Sequence, residues 1–115
     1  MGSIVARLTY GSESFLFTGD SPQAIEKYLV GKDAGALHSN VLKLGHHGSR
    51  TSSSQIFLSA VNPDYAVISA GLNNKYGHPH KEVTDLLATL KIPSISTIDH
   101  GTIIFKTDGT ELHLE

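Results

Sequence analysis

The residues best equipped for chemistry in this sequence are one carboxylate and two histidine pairs: Asp20, His46/His47 and His78/His80. With seven histidines and no cysteine, the chain can hold a metal only through imidazole and carboxylate. That donor set suits zinc, manganese or iron at a working site and excludes a structural thiolate site. A carboxylate among imidazoles is what a two-metal hydrolytic centre uses: oxygen bridges the cations, neutral nitrogens complete their shells, and a shared water becomes acidic. Ser49 and Arg50 follow the first pair directly, and a hydroxyl and a guanidinium suit an anionic substrate such as phosphate. Nothing resembles a G-x-S-x-G elbow, so Ser49 fits a substrate contact better than a nucleophile.

Each residue also has a purely local use. Asp20 precedes Ser21-Pro22 and could favour the positive end of a helix. A glycine-flanked histidine pair could be a solvated turn, His78 and His80 could begin a helix, and Arg50 could be a surface charge. His38 and His113 read as surface residues, and His100 as part of the turn Asp99-His100-Gly101.

What favours the chemical reading is where the elements put these residues. Ile4 to Tyr10 and Ser14 to Thr18 read as two strands of a hairpin, with Gly19-Asp20 at the exit. Ser21 and Pro22 then start a helix whose apolar face is Ala24, Ile25, Tyr28 and Leu29. Asn40 to Leu44 is a strand that runs into Gly45-His46-His47. The hydroxyl run Thr51 to Ser54 can cap a helix with Ile56, Phe57, Ala60 and Val61 on its apolar face. Tyr65 to Ala70 is apolar enough for a strand buried on both faces.

The second histidine pair begins a third helix, striped by Val83, Leu86, Leu87 and Leu90. Ser94 to Ile98 and Thr102 to Lys106 are further strands, and Asp108-Gly109 turns tightly into Glu111 to Leu114. The order ββαβαβαβββ describes an α/β chain with a mixed sheet and helices packed on it. In such sheets ligands bind at the carboxyl ends of parallel strands, where Asp20, His46/His47 and Asn73 to His80 would share one rim.

Composition sets the bounds. At 115 residues, 39% apolar and 17% charged, the chain is one ordinary globular domain, residues 1 to 115, with a modest core. Its net charge of −2 provides no basic field for non-specific duplex binding, so any nucleic-acid contact must be local. No apolar run approaches the roughly 18 residues of a membrane span, and the start has no signal-peptide layout. Met1-Gly2-Ser3 fits a cloning remnant.

Three segments together resemble a known family. They are Phe15-Leu16-Phe17-Thr18-Gly19-Asp20, then Val41 to Ser54 containing Leu44-Gly45-His46-His47-Gly48-Ser49-Arg50, then Asn73 to His80 ending in Gly77-His78-Pro79-His80. Over essentially the whole chain this is similar to the metallo-β-lactamase-like domain of the ComEC family of DNA-internalisation competence proteins. The resemblance implies an αβ/βα sandwich and a Zn- or Mn-dependent two-metal hydrolase that cuts DNA phosphodiester bonds. It also implies a soluble domain of a bacterial membrane protein. By it, Asp20 is the bridging carboxylate, His46 or His47 the imidazole ligand after the next strand, and His78 and His80 further rim residues, as metal ligands or substrate contacts. Ser49 and Arg50 face the substrate, and a rim histidine protonates the leaving oxygen.

The family's principal motif, His-x-His-x-Asp-His, is absent from this sequence. The resemblance therefore implies the C-terminal half of such a domain. Its partners would be DNA, the missing N-terminal half and the membrane-embedded domains of the same protein. Alone, the half is expected to be inactive or nearly so and to self-associate. Two rivals follow from the same residues: another ester hydrolase of the superfamily (a phosphorylcholine esterase or lactonase), and a non-catalytic interaction module.

Overall fold

The computed structural model describes residues 3–115; Met1 and Gly2, read above as part of a cloning remnant, lie outside the described residues. The expected order of strands and helices is present, with one short helix added before the last two strands. It runs β1 (Ala6–Tyr10), β2 (Glu13–Phe17), α1 (Gln23–Asp33), β3 (Val41–Lys43), α2 (Gln55–Val61), β4 (Tyr65–Ile68), α3 (Lys81–Thr89), β5 (Ser94–Ser96), α4 (Thr97–His100), β6 (Phe105–Thr107) and β7 (Leu112–Leu114). The first five strands form one sheet in sequential order, and β6 and β7 form a separate hairpin. β1 runs antiparallel to β2, while β2, β3, β4 and β5 are mutually parallel. The chain is thus α/β with a mixed sheet.

Register explains the core. Leu16, Leu42 and Ala66 stand side by side across β2, β3 and β4 and are all buried. Ile68 extends that face, and Phe57, Leu58 and Val61 of α2 and Val83 and Leu87 of α3 pack against it. Because strand side chains alternate, the neighbours of these residues point to the other face. There Phe15, Val41 and Tyr65 make one row and Phe17, Lys43 and Val67 the next. Among the described residues, the β6–β7 hairpin packs on this second face, with the Phe105 ring 5.4 Å from Tyr65 and 6.5 Å from Phe15.

Four expectations change. β4 is buried on one face only, Tyr65 and Val67 remaining half-exposed, because the helices cover just one side. In α1, Ala24, Ile25 and Tyr28 face solvent, and Glu26 is the buried residue, with Leu29 and Val30 packed on the core. In α2 the inward face is Phe57, Leu58 and Val61, while Ile56 is exposed. The strand expected over Ser94 to Ile98 stops at Ser96, whose hydroxyl accepts the Ile98 N–H and starts the short helix α4.

Candidate active site at the strand exits

Since β2, β3 and β4 are parallel neighbours, their carboxyl ends lie on one edge of the sheet, and the loops carrying Asp20, His46/His47 and His78/His80 leave from that edge. The His46 N–H donates to Gly19 O at 2.8 Å, fixing the two strand exits against each other. Gly45 is needed at this point. A β-carbon there would lie 3.1 Å from Thr18 Oγ1 and 3.3 Å from Ser52.

His46 and His47 both adopt left-handed backbone, with φ of 49° and 58°. Consecutive non-glycine residues in that region are strained and persist only where their surroundings impose it, which occurs chiefly at functional sites. Gly48 follows with φ 83°, and a β-carbon on it would fall 2.8 Å from Pro79. The two histidine loops touch at that contact. They are also bonded: the His80 N–H donates to Gly48 O at 3.1 Å, and the Arg50 N–H donates to His80 Nδ1 at 2.9 Å.

The result is a cluster of four imidazoles. The His78 ring lies 5.5 Å from His46, 5.8 Å from His47 and 4.8 Å from His80, and His46 lies 6.1 Å from His47. Desolvation first, then the neighbouring His80, His46 and His47, pushes the His78 imidazole below its ordinary pKa. A neutral ring at position 78 follows.

Hydrogen bonds sort these rings by availability. His47 Nδ1 donates to Ser69 O at 2.8 Å, which leaves Nε2 as a lone pair, and His46 Nδ1 meets Thr51 Oγ1 at 3.3 Å. A ligating histidine is normally held this way, through its other ring nitrogen. His80 differs: Nδ1 accepts from Arg50 and Nε2 donates to Tyr76 O at 3.1 Å, so both nitrogens are occupied.

Asp20 is exposed at the same edge, its N–H donating to Ser3 Oγ at 2.9 Å. Ser49 is buried, its hydroxyl bonded to Thr51 Oγ1 at 2.9 Å, whereas Arg50 is exposed and 3.8 Å from Glu82. The structure therefore brings His46, His47, His78 and His80 together, with Asp20 on the adjoining exit.

The chemistry of this donor set fits a divalent transition metal: His46 and His47 for nitrogen, Asp20 for oxygen. The buried Thr18 hydroxyl beside Gly45 also has no hydrogen-bond partner among the described residues. Yet no three metal-binding side chains among the described residues converge closely enough to enclose an ion.

Sequence reasoning missed three supports of this site. The buried Glu26 carboxylate accepts the N–H groups of Ser53 at 2.6 Å and Ser54 at 2.8 Å, pinning the loop after the first histidine pair. Asn74 bonds Gly71 O, His78 O and His78 N, clamping the loop of the second pair. Thr51 links His46 to Ser49.

Competence protein ComA of Neisseria gonorrhoeae is 46% identical over 103 residues, which is 90% of this chain and 15% of that protein. Homologues of this chain carry competence and recombination names. ComE operon protein 3 of Bacillus subtilis is 36% identical over 104 residues, 90% of this chain and 13% of that protein. Recombination protein 2 of Haemophilus influenzae is 37% identical over 101 residues, 88% of this chain and 12% of that protein. The chain thus spans only 12% to 15% of the length of these relatives. No family model matches it. Among the described residues, no helix is long and apolar enough to cross a membrane.

Proposed function

We propose that the chain is the C-terminal half of a ComEC-type metallo-β-lactamase-fold domain, serving metal-dependent hydrolysis of DNA phosphodiester bonds during DNA uptake. The observation that carries this reading is the gathering of His46, His47 and His78 beside the Asp20 exit, on positive-φ backbone at positions 46 and 47. The competence and recombination names of the relatives support the link to DNA uptake.

A pair of zinc or manganese ions would supply charge neutralisation and an acidified water. His46, His47 and Asp20 would hold the metal. A neutral His78 suits a proton acceptor that takes a proton from the attacking water and passes it to the leaving oxygen. Arg50 can exchange its long, exposed pairing with Glu82 for a phosphate oxygen. Ser49 acts through Thr51 on His46. His80, with both ring nitrogens committed, positions Arg50 against the second histidine loop.

The incomplete convergence of ligands argues that further donors come from another part of a longer protein, in a His-x-His-x-Asp-His segment. The area of the second sheet face that the β6–β7 hairpin leaves exposed suits packing by that part. It holds an apolar cavity of about 170 Å³ lined by residues including Phe15, Phe17, Val67 and Phe105. The test is hydrolysis of bis-p-nitrophenyl phosphate with Mn²⁺ or Zn²⁺, by this chain alone and by a longer chain carrying such a segment. The expected result is turnover by the longer chain only. Robust turnover by the 115 residues alone would overturn the half-domain reading, and preference for lactones would overturn the phosphodiester reading.

A further inference from the structure

We propose that the pocket beside the imidazole cluster receives one nucleobase of a single strand, with Tyr76 as its stacking face. The inference rests on the nucleic-acid reading above and names how the same site grips its substrate. The loop between β4 and α3 displays two large apolar side chains that no core requires: Leu72 is 73% exposed and Tyr76 64%. The Tyr76 ring lies 5.6 Å from His78 at an interplanar angle of 21°, and His78 lies 5.8 Å from His47 at 22°. Near-parallel planes thus run from solvent to the imidazole cluster.

Beside them is a cavity of about 200 Å³ walled by His47, Ala70, Gly71, Asn74, Tyr76 and His78. Sites for whole small-molecule ligands begin at about 300 Å³, so this one suits a single ring system carried by a larger ligand. Its amide and one of its imidazole nitrogens are already committed. The Asn74 amide makes all its bonds to Gly71 and His78, and His47 Nδ1 is taken by Ser69. With the Asn74 amide spent and only ring nitrogens of His47 and His78 left free, the pocket recognises ring faces more than base edges and shows little sequence preference.

The backbone of such a strand also finds charge nearby. Lys75 Nζ sits 5.2 Å from the Tyr76 ring centroid, and the Arg50 guanidinium is exposed on the adjoining loop. An aromatic face flanked by cations is how single strands are held, because every unpaired base has a π-face and every link a phosphate. A duplex, with its bases already stacked and paired, has none to offer.

The test uses the 115-residue chain, Tyr76→Ala and Tyr76→Phe, without added metal. Each is titrated against an oligothymidylate containing one 2-aminopurine, and against a fluorescein-labelled abasic strand of equal length. Tyr76 is exposed, and unchanged circular dichroism confirms that the variants fold. The expected result is quenching of 2-aminopurine by the chain and by Tyr76→Phe. Tyr76→Ala should abolish the quench and weaken binding of the base-containing strand about tenfold, leaving the abasic strand unaffected. Equal affinity of the chain for both strands, or equal loss on both in Tyr76→Ala, overturns the pocket while leaving the phosphodiester reading, which bis-p-nitrophenyl phosphate tests without a base. A chain that binds neither strand overturns the pocket and the nucleic-acid substrate together.

Discussion

Glu26 is the residue on which the first histidine loop hangs. Its buried carboxylate accepts two backbone N–H groups, and without it Ser53 and Ser54 would keep unpaired donors in the interior. Glu26→Ala should therefore cost about 2 kcal/mol in a urea melt, with Glu26→Gln milder because an amide oxygen still accepts. Burial raises the Glu26 pKa above its ordinary 4.5, outweighing the two N–H donors that hold it down. A raised folded-state pKa means its protonated form is favoured on folding. That stabilisation is complete below the ordinary value and fades as pH rises through the raised one. Urea melts from pH 4 to pH 8 should show wild type losing stability relative to Glu26→Gln as pH rises, and parallel curves would refute this. None of it was legible in the sequence. An acidic residue on an exposed-looking helix reads as solvated, and the N–H groups that need it lie in a loop only tertiary packing brings near. Asp20 and the histidine pairs were legible, because their types and their places after strands could be read locally.

At the scale of elements, the alternation of strands and helices was readable because period-2 and period-3.6 patterns differ. The parallel edge followed from that order, and so did the meeting of strand exits. Helix faces were less readable: in α1 the pattern of Ala24, Ile25 and Tyr28 is apolar, yet the helix turns Glu26, Leu29 and Val30 inward to meet the loop and core. The contact of the two histidine loops through Gly48 was not legible either, since it depends on Pro79 from a distant segment. Gly48→Ala combines a positive φ with a 2.8 Å clash. We expect a loss of about 1 to 3 kcal/mol in urea melts, with altered imidazole resonances for His47 and His80. The β6–β7 turn carries its own pH dependence. Asp108 accepts N–H groups from Glu111 and Thr110 and the Thr110 hydroxyl, which hold its pKa down to about 2. A depressed carboxylate stabilises above its unfolded pKa of about 4, and the effect disappears as pH falls through the folded value. Amide protection factors in the hairpin, taken relative to intrinsic exchange at each pH, should fall between pH 4 and pH 2 in wild type and not in Asp108→Asn.

For the whole molecule, the decisive asymmetry is a sheet with helices on one face and a small hairpin on the other. Leu8 and Phe17 lie 59% and 41% exposed there, and the edge strand β1 is open to solvent along its length. Open edges and apolar faces promote association. Sedimentation velocity should show self-association that rises with concentration and is weakened by Phe17→Lys; a monomer at all concentrations would show that this face needs no cover. The account's central claim is that Asp20 and the first histidine pair form one cation site at the strand exits. Isothermal titration of Mn²⁺ and Zn²⁺ into wild type, Asp20→Ala and His46→Ala tests it most directly. The account predicts measurable binding by wild type that each substitution weakens by about tenfold or more, whereas isotherms unchanged by both substitutions would contradict it.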